Sequence, residues 1–415
     1  MSENFAQLGV TPYFIKKLEE RGITKPTEIQ RKIIARLSAG ESVFFSSATG
    51  TGKTFAYLLP FLEKLLENAA GTDLQAREKN GGYPVLLIAA PTLELCSQIS
   101  GEIDFLIKGT AVRSVLAIGS ANPDRQIESL KKIRPQIITG NPNRLLVLAQ
   151  KKIIKFDSLR FLVLDEADRL TGGDMSDNTG ELCGMIIKSA EKLNNKIIIT
   201  ACSATLNKKQ IEKLPAFNGG KNIPFVKSDD HEILREKIEH WAVFSEKRRK
   251  DQTLRSLLSA LKAGKGKKTK IKVLVFTSRG DEAGLVLSRL QHHHVSAAGL
   301  IGKINRQAFS GRERKDALDA FRRGGVEVLV STDLAARGLD IEGITHIVAL
   351  DVPSDSEIYI HRCGRTARAG KYGTMITIGN ETQMRLLASL EKKLKIRVQP
   401  KELHYGKITA PVEEE

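Results

Sequence analysis

Short apolar runs alternate along the chain with longer segments of helical periodicity. Six runs in the first half are predicted to be buried strands: Val43–Ser47, Pro84–Ala90, Val112–Ile118, Gln136–Thr139, Phe161–Leu164 and Lys196–Thr200. Strands separated by helices form βαβ units, so the pattern predicts a parallel sheet with right-handed crossovers. The predicted fold class is α/β.

A second series of the same kind occupies the rest of the chain. Its predicted strands are Val273–Phe276, Val326–Val330 and Ile344–Leu350. Between the two series, Asn218–Asp230 is rich in glycine, asparagine and aspartate and is interpreted as a link between domains. Because 415 residues exceed one typical core, we predict two domains, residues 1–230 and 231–415.

The stretch after the first predicted strand has the composition of a phosphate-binding loop. Ala48–Thr54 contains two glycines, a lysine and a hydroxyl, and a helical pattern begins at Phe55. Loop and helix N–H groups would face an anion, Lys53 would reach the β- and γ-phosphates, and Thr54 would suit Mg²⁺. Ser47 stands where the usual pattern has glycine, and a Gly-rich turn with a surface lysine is the plain alternative. The strand–loop–helix setting favours nucleotide binding.

Acidic and hydroxyl residues follow two other predicted strands. Ligands of parallel sheets bind beyond the carboxyl ends of strands. Asp165 would hold Mg²⁺ there, and Glu166 would orient and deprotonate the attacking water. An acidic helix cap is the alternative. Ser203 and Thr205 would couple nucleotide state to the Asp165–Asp168 loop through their hydroxyls.

Two arginines in the second domain are candidates for contact with a phosphate. Arg365 and Arg368 have a spacing that would place both guanidinium groups on one helical face. They would stabilise charge developing on a γ-phosphate, provided that the domains close on the nucleotide. Two solvated surface arginines are the alternative.

Composition indicates a globular protein with a polyanionic partner. The hydrophobic share is 41%, the charged share 27% and the formal net charge +17. Nucleic acid is the partner favoured by this charge, although a solubilising surface would look similar. The basic run Lys262–Lys272 is interpreted as a solvated loop.

The four cysteines lie far apart without a CxxC pair and are predicted to be reduced, mostly structural thiols. No apolar run approaches the length of a membrane span, and the first residues carry no secretory signal. We therefore expect a cytoplasmic protein without a membrane partner.

Taken in order, the segments SSATGTGKT, PTLEL, DEAD, SAT, STDLAARGLD and HRCGRTARAG resemble the motifs of the DEAD-box family of ATP-dependent RNA helicases. The resemblance extends from Phe5 to about Leu403. It implies two tandem RecA-like domains that bind ATP, Mg²⁺ and RNA across the cleft between them. The implied function is local separation of short RNA duplexes, or remodelling of RNA–protein complexes, by ATP-driven closure and hydrolysis-driven release.

The resemblance also implies roles around ATP. Spacing alone favours a plain helix cap for Gly22–Gln30, but this stretch resembles the family's Q motif, in which Gln30 would read the adenine edge. Phe5, seventeen residues before Gly22, matches the family's aromatic residue that stacks on the base. The other implied ATP contacts are Thr49, Gly50, Thr51, Gly52, Lys53 and Thr54 at the phosphates, Thr54 and Asp165 at Mg²⁺, Glu166 at the water, Gly338 and Asp340 at the ribose, and Arg365 and Arg368 at the γ-phosphate.

The implied RNA contacts are Pro91, Thr92, Gly119, Asn141, Arg144, Thr277, Arg314 and Thr332. This face departs from the family pattern, since Leu93 replaces an arginine and Gly311 a glutamine. On the adenine side, Ile23 replaces the usual aromatic residue of the Q motif. Further replacements on the RNA face are Ser120 for a glycine and Asn141 and Asn143 for a threonine and a glycine. Lost donors predict weakened or re-tuned RNA binding.

Two alternatives stay open. The first is an ATP-gated RNA clamp with little unwinding, and the second is a scaffold with a vestigial ATPase, recruited through its basic second domain. The second is disfavoured by the intact set of Lys53, Asp165, Glu166, Arg365 and Arg368. The sequence specifies no physiological RNA, and ribosome assembly and RNA decay are both compatible with it. A protein partner, or a surface loop over Ala298–Ser310, would supply substrate choice, and we expect a monomer.

Overall fold

The computed structural model describes residues 4–47, 50–70, 83–119, 123–172, 175–203, 222–227, 236–264, 271–301, 303–304, 307–308, 311–336, 341, 343–367 and 372–411. The chain divides into two compact units, Met1–Ser228 and Asp229–Glu415. The predicted division after residue 230 falls in a stretch, 228–235, that lies outside the described residues. The same is true of residues 71–82, which hold most of the Gly-rich loop after the third helix.

The first unit is a parallel sheet with helices. Its described helices are α1 (Pro12–Glu19), α2 (Glu28–Ser38), α3 (Lys53–Ala70), α4 (Leu93–Ile107), α5 (Pro123–Ile133), α6 (Pro142–Gln150), α7 (Ala167–Leu170) and α8 (Ser176–Lys192). Its described strands are β1 (Val43–Ser46), β2 (Leu86–Ala89), β3 (Ser114–Ala117), β4 (Ile137–Gly140), β5 (Phe161–Asp165), β6 (Ile198–Ser203) and β7 (Phe225–Lys227). The strand order is β3-β4-β2-β5-β6-β1-β7, with every pair parallel.

The sheet of the first unit lies between two apolar layers. Side chains alternate between the faces of a strand. Leu86 and Ile88 of β2 therefore join the layer that includes α1 to α4, whereas Leu87 and Ala89 join the layer that includes α6 and α8. Because both faces are buried, the strands are continuous apolar runs, which is why the sequence pattern located them.

The second unit repeats this plan. Its described helices are α9 (Lys250–Ala263), α10 (Gly280–His292), α11 (Gly311–Arg322), α12 (Asp333–Ala336), α13 (Ser356–Cys363) and α14 (Glu381–Leu394), with a 3₁₀ turn at Lys247–Arg249. The strands of its main sheet are β8 (Ile238–Phe244), β9 (Val273–Thr277), β10 (Ala297–Leu300), β13 (Val328–Thr332), β14 (His346–Ala349), β15 (Gly373–Gly379), β16 (Val398–His404) and β17 (Lys407–Thr409). A separate hairpin pairs β11 (Lys303–Ile304) with β12 (Gln307–Ala308).

The main sheet of the second unit has the order β10-β13-β9-β14-β15-β8-β16-β17. Its pairs are parallel except for the antiparallel hairpin of β16 and β17. Leu274 and Phe276 of β9 face one apolar layer, and Val273 and Val275 face the other.

All nine predicted strands are confirmed, but the prediction was incomplete. It missed β7, β8, the three strands from β10 to β12 and the three from β15 onward. Strand β8 mixes buried and exposed positions, so it is not a continuous apolar run. The predicted loop over Ala298–Ser310 is wrong at its start, because Ala298–Leu300 belong to β10, where Gly299 and the alanines gave no strand signal. Strand β7 lies inside the predicted link, at the sheet edge beside β1.

One buried guanidinium holds together two loops of the second unit. The Arg362 side chain is 1% exposed, and its Nε and Nη2 donate to the two carboxylate oxygens of Asp333 at 2.7 and 2.8 Å. Its Nη2 also donates to Asp351 Oδ2 at 2.8 Å. Burial alone would lower the pKa of Arg362, but the two carboxylates raise it above its usual value overall. The segments that follow β13 and β14 are therefore tied to α13.

We expect Gly140→Ala to destabilise the first unit. An added Cβ would lie 2.4 Å from the Ala117 carbonyl oxygen of the paired strand β3, and a strand backbone has little room to shift. The expected cost is about 1–3 kcal/mol, typical of overpacking. Far-UV circular dichroism during urea unfolding would measure it, while fluorescence of the single tryptophan, Trp241, reports the second unit.

Gly101→Ala is the matched control for this substitution. Gly101 lies inside α4, and an added Cβ there meets nothing within 4 Å. Alanine is favoured over glycine in a helix by up to about 1 kcal/mol, so this variant should be as stable as wild type or more so. Equal behaviour of the two variants would contradict the close approach at Gly140.

We also expect Arg362→Met to destabilise the second unit by about 3–5 kcal/mol, because Asp333 and Asp351 would lose the charge that compensates them. The midpoint of the Trp241 fluorescence transition in urea measures this effect. Arg385→Met is the control, since its ion pair with Glu381 is largely exposed and should contribute little. A midpoint for Arg362→Met as high as that of the control would show that the buried network does not stabilise the unit.

Candidate functional site

The loop between β1 and α3 is built around two glycines. Gly50 and Gly52 have φ of +83° and +85°, which glycine adopts without strain. Lys53 opens α3, and its Nζ donates to the Ser47 carbonyl at 2.6 Å. The ammonium group thus lies over the loop, at the amino end of a helix, where an anion is stabilised. Thr49 lies outside the described residues.

The segment resembling the Q motif is fastened to this loop. Thr27 caps α2 in a capping box with Gln30, which confirms the helix-cap interpretation. The cap also contacts the loop, because Thr27 Oγ1 donates to the Thr51 carbonyl at 2.8 Å and Gln30 Nε2 to the Gly52 carbonyl at 3.1 Å. Gln30 is 2% exposed. The cap and the phosphate loop therefore form one hydrogen-bonded structure.

Phe5 is packed within the core of the first unit. Its side chain is 3% exposed and belongs to the apolar layer formed with α1 to α4. The backbone N–H groups of Leu8 and Val10 both donate to its carbonyl at 3.1 Å. Its stacking on adenine stays a prediction.

Asp165 ends β5 and is 4% exposed. Its Oδ1 accepts from the Glu166 N–H at 2.9 Å and from Cys202 Sγ at 3.2 Å, and its Oδ2 accepts from the Tyr57 hydroxyl at 2.8 Å. Burial raises the pKa of the Tyr57 hydroxyl and of the Cys202 thiol, and the charge of Asp165 raises both further. These two side chains therefore remain protonated donors at neutral pH.

Sequence analysis missed both side-chain donors. Tyr57 lies one helical turn after Thr54, and Cys202 is paired with Asp165 in the register of β5 and β6. The position of Tyr57 relative to Thr54 was readable from the sequence, but the approach of either side chain to Asp165 depends on how the sheet folds. The four cysteines are free, as predicted, and all of them are buried.

Glu166 occupies a strained turn between β5 and α7. Its φ of 50° and ψ of 51° are left-handed, which is uncommon for a residue with a side chain. Its carboxylate lies 3.4 Å from Arg169 Nη1. The turn brings Glu166 to the carboxyl end of β5, beside Asp165. Asp168 follows in α7.

Ser203 ends β6 and is fully buried, and its carbonyl accepts from the Ser47 N–H at 3.1 Å. It is thus joined to the phosphate loop through the pairing of β1 and β6. Thr205 lies outside the described residues, so its predicted coupling to Asp168 stays a prediction.

The predicted RNA contacts of the first unit follow three neighbouring strands. Pro91 and Thr92 follow β2, Gly119 follows β3, and Asn141 and Arg144 follow β4. Thr92 and Asn141 cap α4 and α6 by accepting from backbone N–H groups. Because β3, β4 and β2 are adjacent, all of these residues lie at one part of the carboxyl edge.

Arg144 is positioned by a residue that sequence analysis missed. Gln126, which is buried on α5, accepts from Arg144 Nε at 2.6 Å. Gln126 Nε2 in turn donates to the carbonyls of Leu116 and Ile118 at 3.3 and 3.5 Å. Among the described residues, Arg144 Nη2 has no hydrogen-bond partner.

In the second unit, Thr277 and Thr332 end the adjacent strands β9 and β13. Thr277 is fully buried and donates to the Arg279 carbonyl at 3.0 Å, and Thr332 accepts from the Ala335 N–H at 3.3 Å. Arg314 is half-buried on α11.

The predicted helical face carrying Arg365 and Arg368 is wrong. Helix α13 ends at Cys363 with Gly364 as its cap, and Ala367 has a φ of 53°, which a continuing helix does not allow. Arg365 lies in the turn after the helix, where it is 6% exposed and its Nε donates to the His361 carbonyl at 3.3 Å. Arg368 lies outside the described residues, as do Gly338 and Asp340.

None of the helices in the described part of the chain has the length and apolar character needed to cross a bilayer. Within the same part of the chain, no group of three or more His, Cys, Asp or Glu side chains is arranged to hold a metal ion.

Two family models match the chain. The model described as DEAD/DEAH box helicase matches residues 27–214, and the one described as helicase conserved C-terminal domain matches residues 249–370. The DEAD-box ATP-dependent RNA helicase CshC of Bacillus cereus is 30% identical over 395 residues, which cover 95% of this chain and 92% of CshC. The match therefore includes nearly the full length of both proteins.

Solved structures show the same fold. Dbp5 of Saccharomyces cerevisiae, bound to RNA and ADP BeF3, has a TM-score of 0.78 at 22% identity, covering 97% of this chain and 96% of that one. An NTE and C-tail double deletion of Mss116p, bound to ssRNA and AMP-PNP, has a TM-score of 0.82 at 24% identity, covering 100% and 81%. The predicted fold of two RecA-like domains is confirmed. The chain belongs to the DEAD-box family of ATP-dependent RNA helicases.

Proposed function

We propose that this helicase separates short RNA duplexes locally, or remodels RNA–protein complexes, by closing its two domains on ATP and one RNA strand. Hydrolysis then removes the γ-phosphate, and the domains release the strand. This is a closure switch controlled by one phosphate group. RNA is preferred over DNA through contacts with sugar hydroxyls and phosphates.

The order of strands in the first sheet carries this proposal. The phosphate loop, Asp165 and Ser203 follow the adjacent strands β1, β5 and β6. The candidate RNA residues follow β2, β4 and β3, which continue the same carboxyl edge. One sheet thus holds both sets of residues at the same edge, where a nucleotide and an RNA strand could be bound side by side.

The residues at β1 and β5 fit a magnesium nucleotide. Thr54 and Asp165 would supply oxygen ligands, since Mg²⁺ at phosphates is commonly held by one or two protein oxygens together with the phosphates. When bound, the cation would neutralise the charge of the phosphates. Lys53 would bind the β- and γ-phosphates, and Glu166 would accept a proton from the attacking water.

The remaining ATP contacts belong to the same proposal. Gln30 and Phe5 would recognise adenine, Thr49 to Gly52 the phosphates, and Gly338 and Asp340 the ribose. Arg365 and Arg368 would reach the γ-phosphate only after closure, and Ser203, Thr205 and Asp168 would relay its loss.

An ATP-gated clamp is the second candidate, and one observation favours it. Leu93 is 39% exposed at the first turn of α4, where an arginine would offer RNA a charged donor. A weaker grip at this position would reduce the strand bending that opens a duplex. The RNA face keeps Asn141 and Arg144, so the first candidate accounts for more of the site.

The physiological RNA is proposed to be chosen by a protein partner or by a loop of the second domain. The monomeric state and the cytoplasmic location expected from the sequence remain predictions.

RNA-stimulated ATP hydrolysis and unwinding of a short RNA duplex, measured with the full chain, test the proposal. Stimulated turnover with strand release supports the helicase. RNA that is held in the presence of ATP without duplex opening supports the clamp instead. A chain without any ATP turnover would overturn both.

We expect Glu166→Gln to slow ATP hydrolysis by about 10²- to 10⁴-fold, the usual contribution of a general base. Binding of ATP and RNA should persist, because the amide keeps the size of the side chain, and the closed state should accumulate. Single-turnover hydrolysis and RNA retention measure these effects. The control Glu191→Gln, an exposed position at the end of α8, should behave as wild type. Unchanged turnover in Glu166→Gln would remove this residue from water activation.

We expect Leu93→Arg to tighten RNA binding and steepen its salt dependence. One added phosphate contact should increase the slope of log affinity against log salt by about 0.7 for a single strand. Fluorescence anisotropy of a labelled oligonucleotide over a salt series measures the slope.

Leu193→Arg adds the same charge at an exposed position next to the C-terminus of α8, on the approach to the amino end of β6. This control should leave the slope near that of wild type. If both variants gave one slope, position 93 would not face RNA phosphate.

A further inference from the structure

Asp165 is held from several sides, and two of its donors come from side chains. The hydroxyl of Tyr57 donates to Oδ2 at 2.8 Å, and the thiol of Cys202 donates to Oδ1 at 3.2 Å. The Glu166 N–H adds a third bond, to Oδ1 at 2.9 Å. Each carboxylate oxygen thus has a donor of fixed position, so rotation of the carboxylate plane would break at least one bond.

The same tyrosine lies on the helix that carries Thr54. Thr54 and Tyr57 are three positions apart on α3 and therefore share one face of it. The Tyr57 hydroxyl donates to Asp165 Oδ2. The tyrosine therefore joins the first turn of α3 to Asp165, and Thr54 and Asp165 are the two residues that the proposed function assigns to Mg²⁺.

The hydroxyl of Tyr57 and the thiol of Cys202 are not required for packing of the core. Tyr57 and Cys202 have no exposed surface and lie among apolar side chains of the core. Phenylalanine or alanine would pack there without introducing a polar atom that requires a partner. The hydroxyl and the thiol bring such atoms into the core, and both are directed at the same carboxylate.

We propose that Tyr57 and Cys202 are positioning residues that hold Thr54 and Asp165 in the geometry required for the magnesium ion of the bound nucleotide. Tyr57 sets the two groups relative to each other, and Cys202 fixes the rotation of the Asp165 carboxylate. Partners of metal ligands commonly act in this way, by orienting the ligand and reducing its freedom. This inference rests on the proposed function of the site.

Nucleotide binding, measured without turnover, tests the proposal in the full chain. The affinity of a fluorescent N-methylanthraniloyl ADP is determined in EDTA and over a series of free Mg²⁺ concentrations. We expect Tyr57→Phe to need about tenfold more Mg²⁺ for the half-maximal gain in affinity, at the lower end of the range for partners of metal ligands. Its affinity in EDTA should equal that of wild type.

A pair of variants at Cys202 gives an independent measurement. Cys202→Ala removes the donor and should raise the Mg²⁺ requirement, whereas Cys202→Ser keeps a donor and should restore it toward wild type. Tyr13→Phe is the matched control, because its hydroxyl donates to the carbonyls of Leu106 and Lys108, far along the chain from Asp165. Far-UV circular dichroism establishes that each variant is folded.

The outcomes separate this inference from the proposed function. A wild-type chain whose nucleotide affinity does not respond to Mg²⁺ would overturn the proposed magnesium nucleotide site itself. A wild-type response that Tyr57→Phe and Cys202→Ala both share would overturn only the positioning role. Equal loss of affinity in EDTA and in Mg²⁺ would mean that the two residues serve the fold alone. If Tyr57→Phe does not fold, the comparison of Cys202→Ala with Cys202→Ser decides.

Discussion

Parallel pairing of strands is the constraint on which the rest of this structure depends. When neighbouring strands run in one direction, their carboxyl ends meet at one edge, and the loops that follow them become neighbours whatever their separation along the chain. Ser47, Asp165 and Ser203 are brought to this edge by β1, β5 and β6. The same constraint brings Thr92, Gly119 and Asn141 to the adjoining part of the edge.

Buried charges near the carboxyl ends of the strands need partners, and the two units supply these partners differently. In the first unit, Asp165 accepts from three donors that are neutral. In the second, Arg362 is balanced by the carboxylates of Asp333 and Asp351. A neutral shell leaves the negative charge of Asp165 available to a cation, whereas the charge of Arg362 is satisfied within the protein. The first arrangement suits binding, and the second suits the anchoring of loops.

The proposed ATP site and the proposed RNA face differ in how their residues are organised. Most of the candidate phosphate-binding groups lie on one continuous loop and the helix after it, so their chemistry would depend on local sequence. The candidate RNA residues of the first unit come from the ends of several strands, with Arg144 positioned by Gln126 from another helix. A residue such as Leu93 would therefore change the proposed RNA face without altering the proposed ATP site. A helicase and a clamp can therefore share one ATPase and differ in their hold on RNA.

The sequence alone determined the α/β class, the phosphate loop and nine of the strands, because a buried parallel strand is a continuous apolar run and the loop is a local pattern. It did not locate β8 or β15, whose polar positions interrupt the run, and it extended the helix of Arg365 past Gly364. Only the tertiary structure decided that Tyr57 and Cys202 meet at Asp165 and that Gln126 holds Arg144. Such contacts join residues that lie far apart in the chain. Which of these residues meet is determined by strand order, and the pattern of apolar residues does not encode strand order.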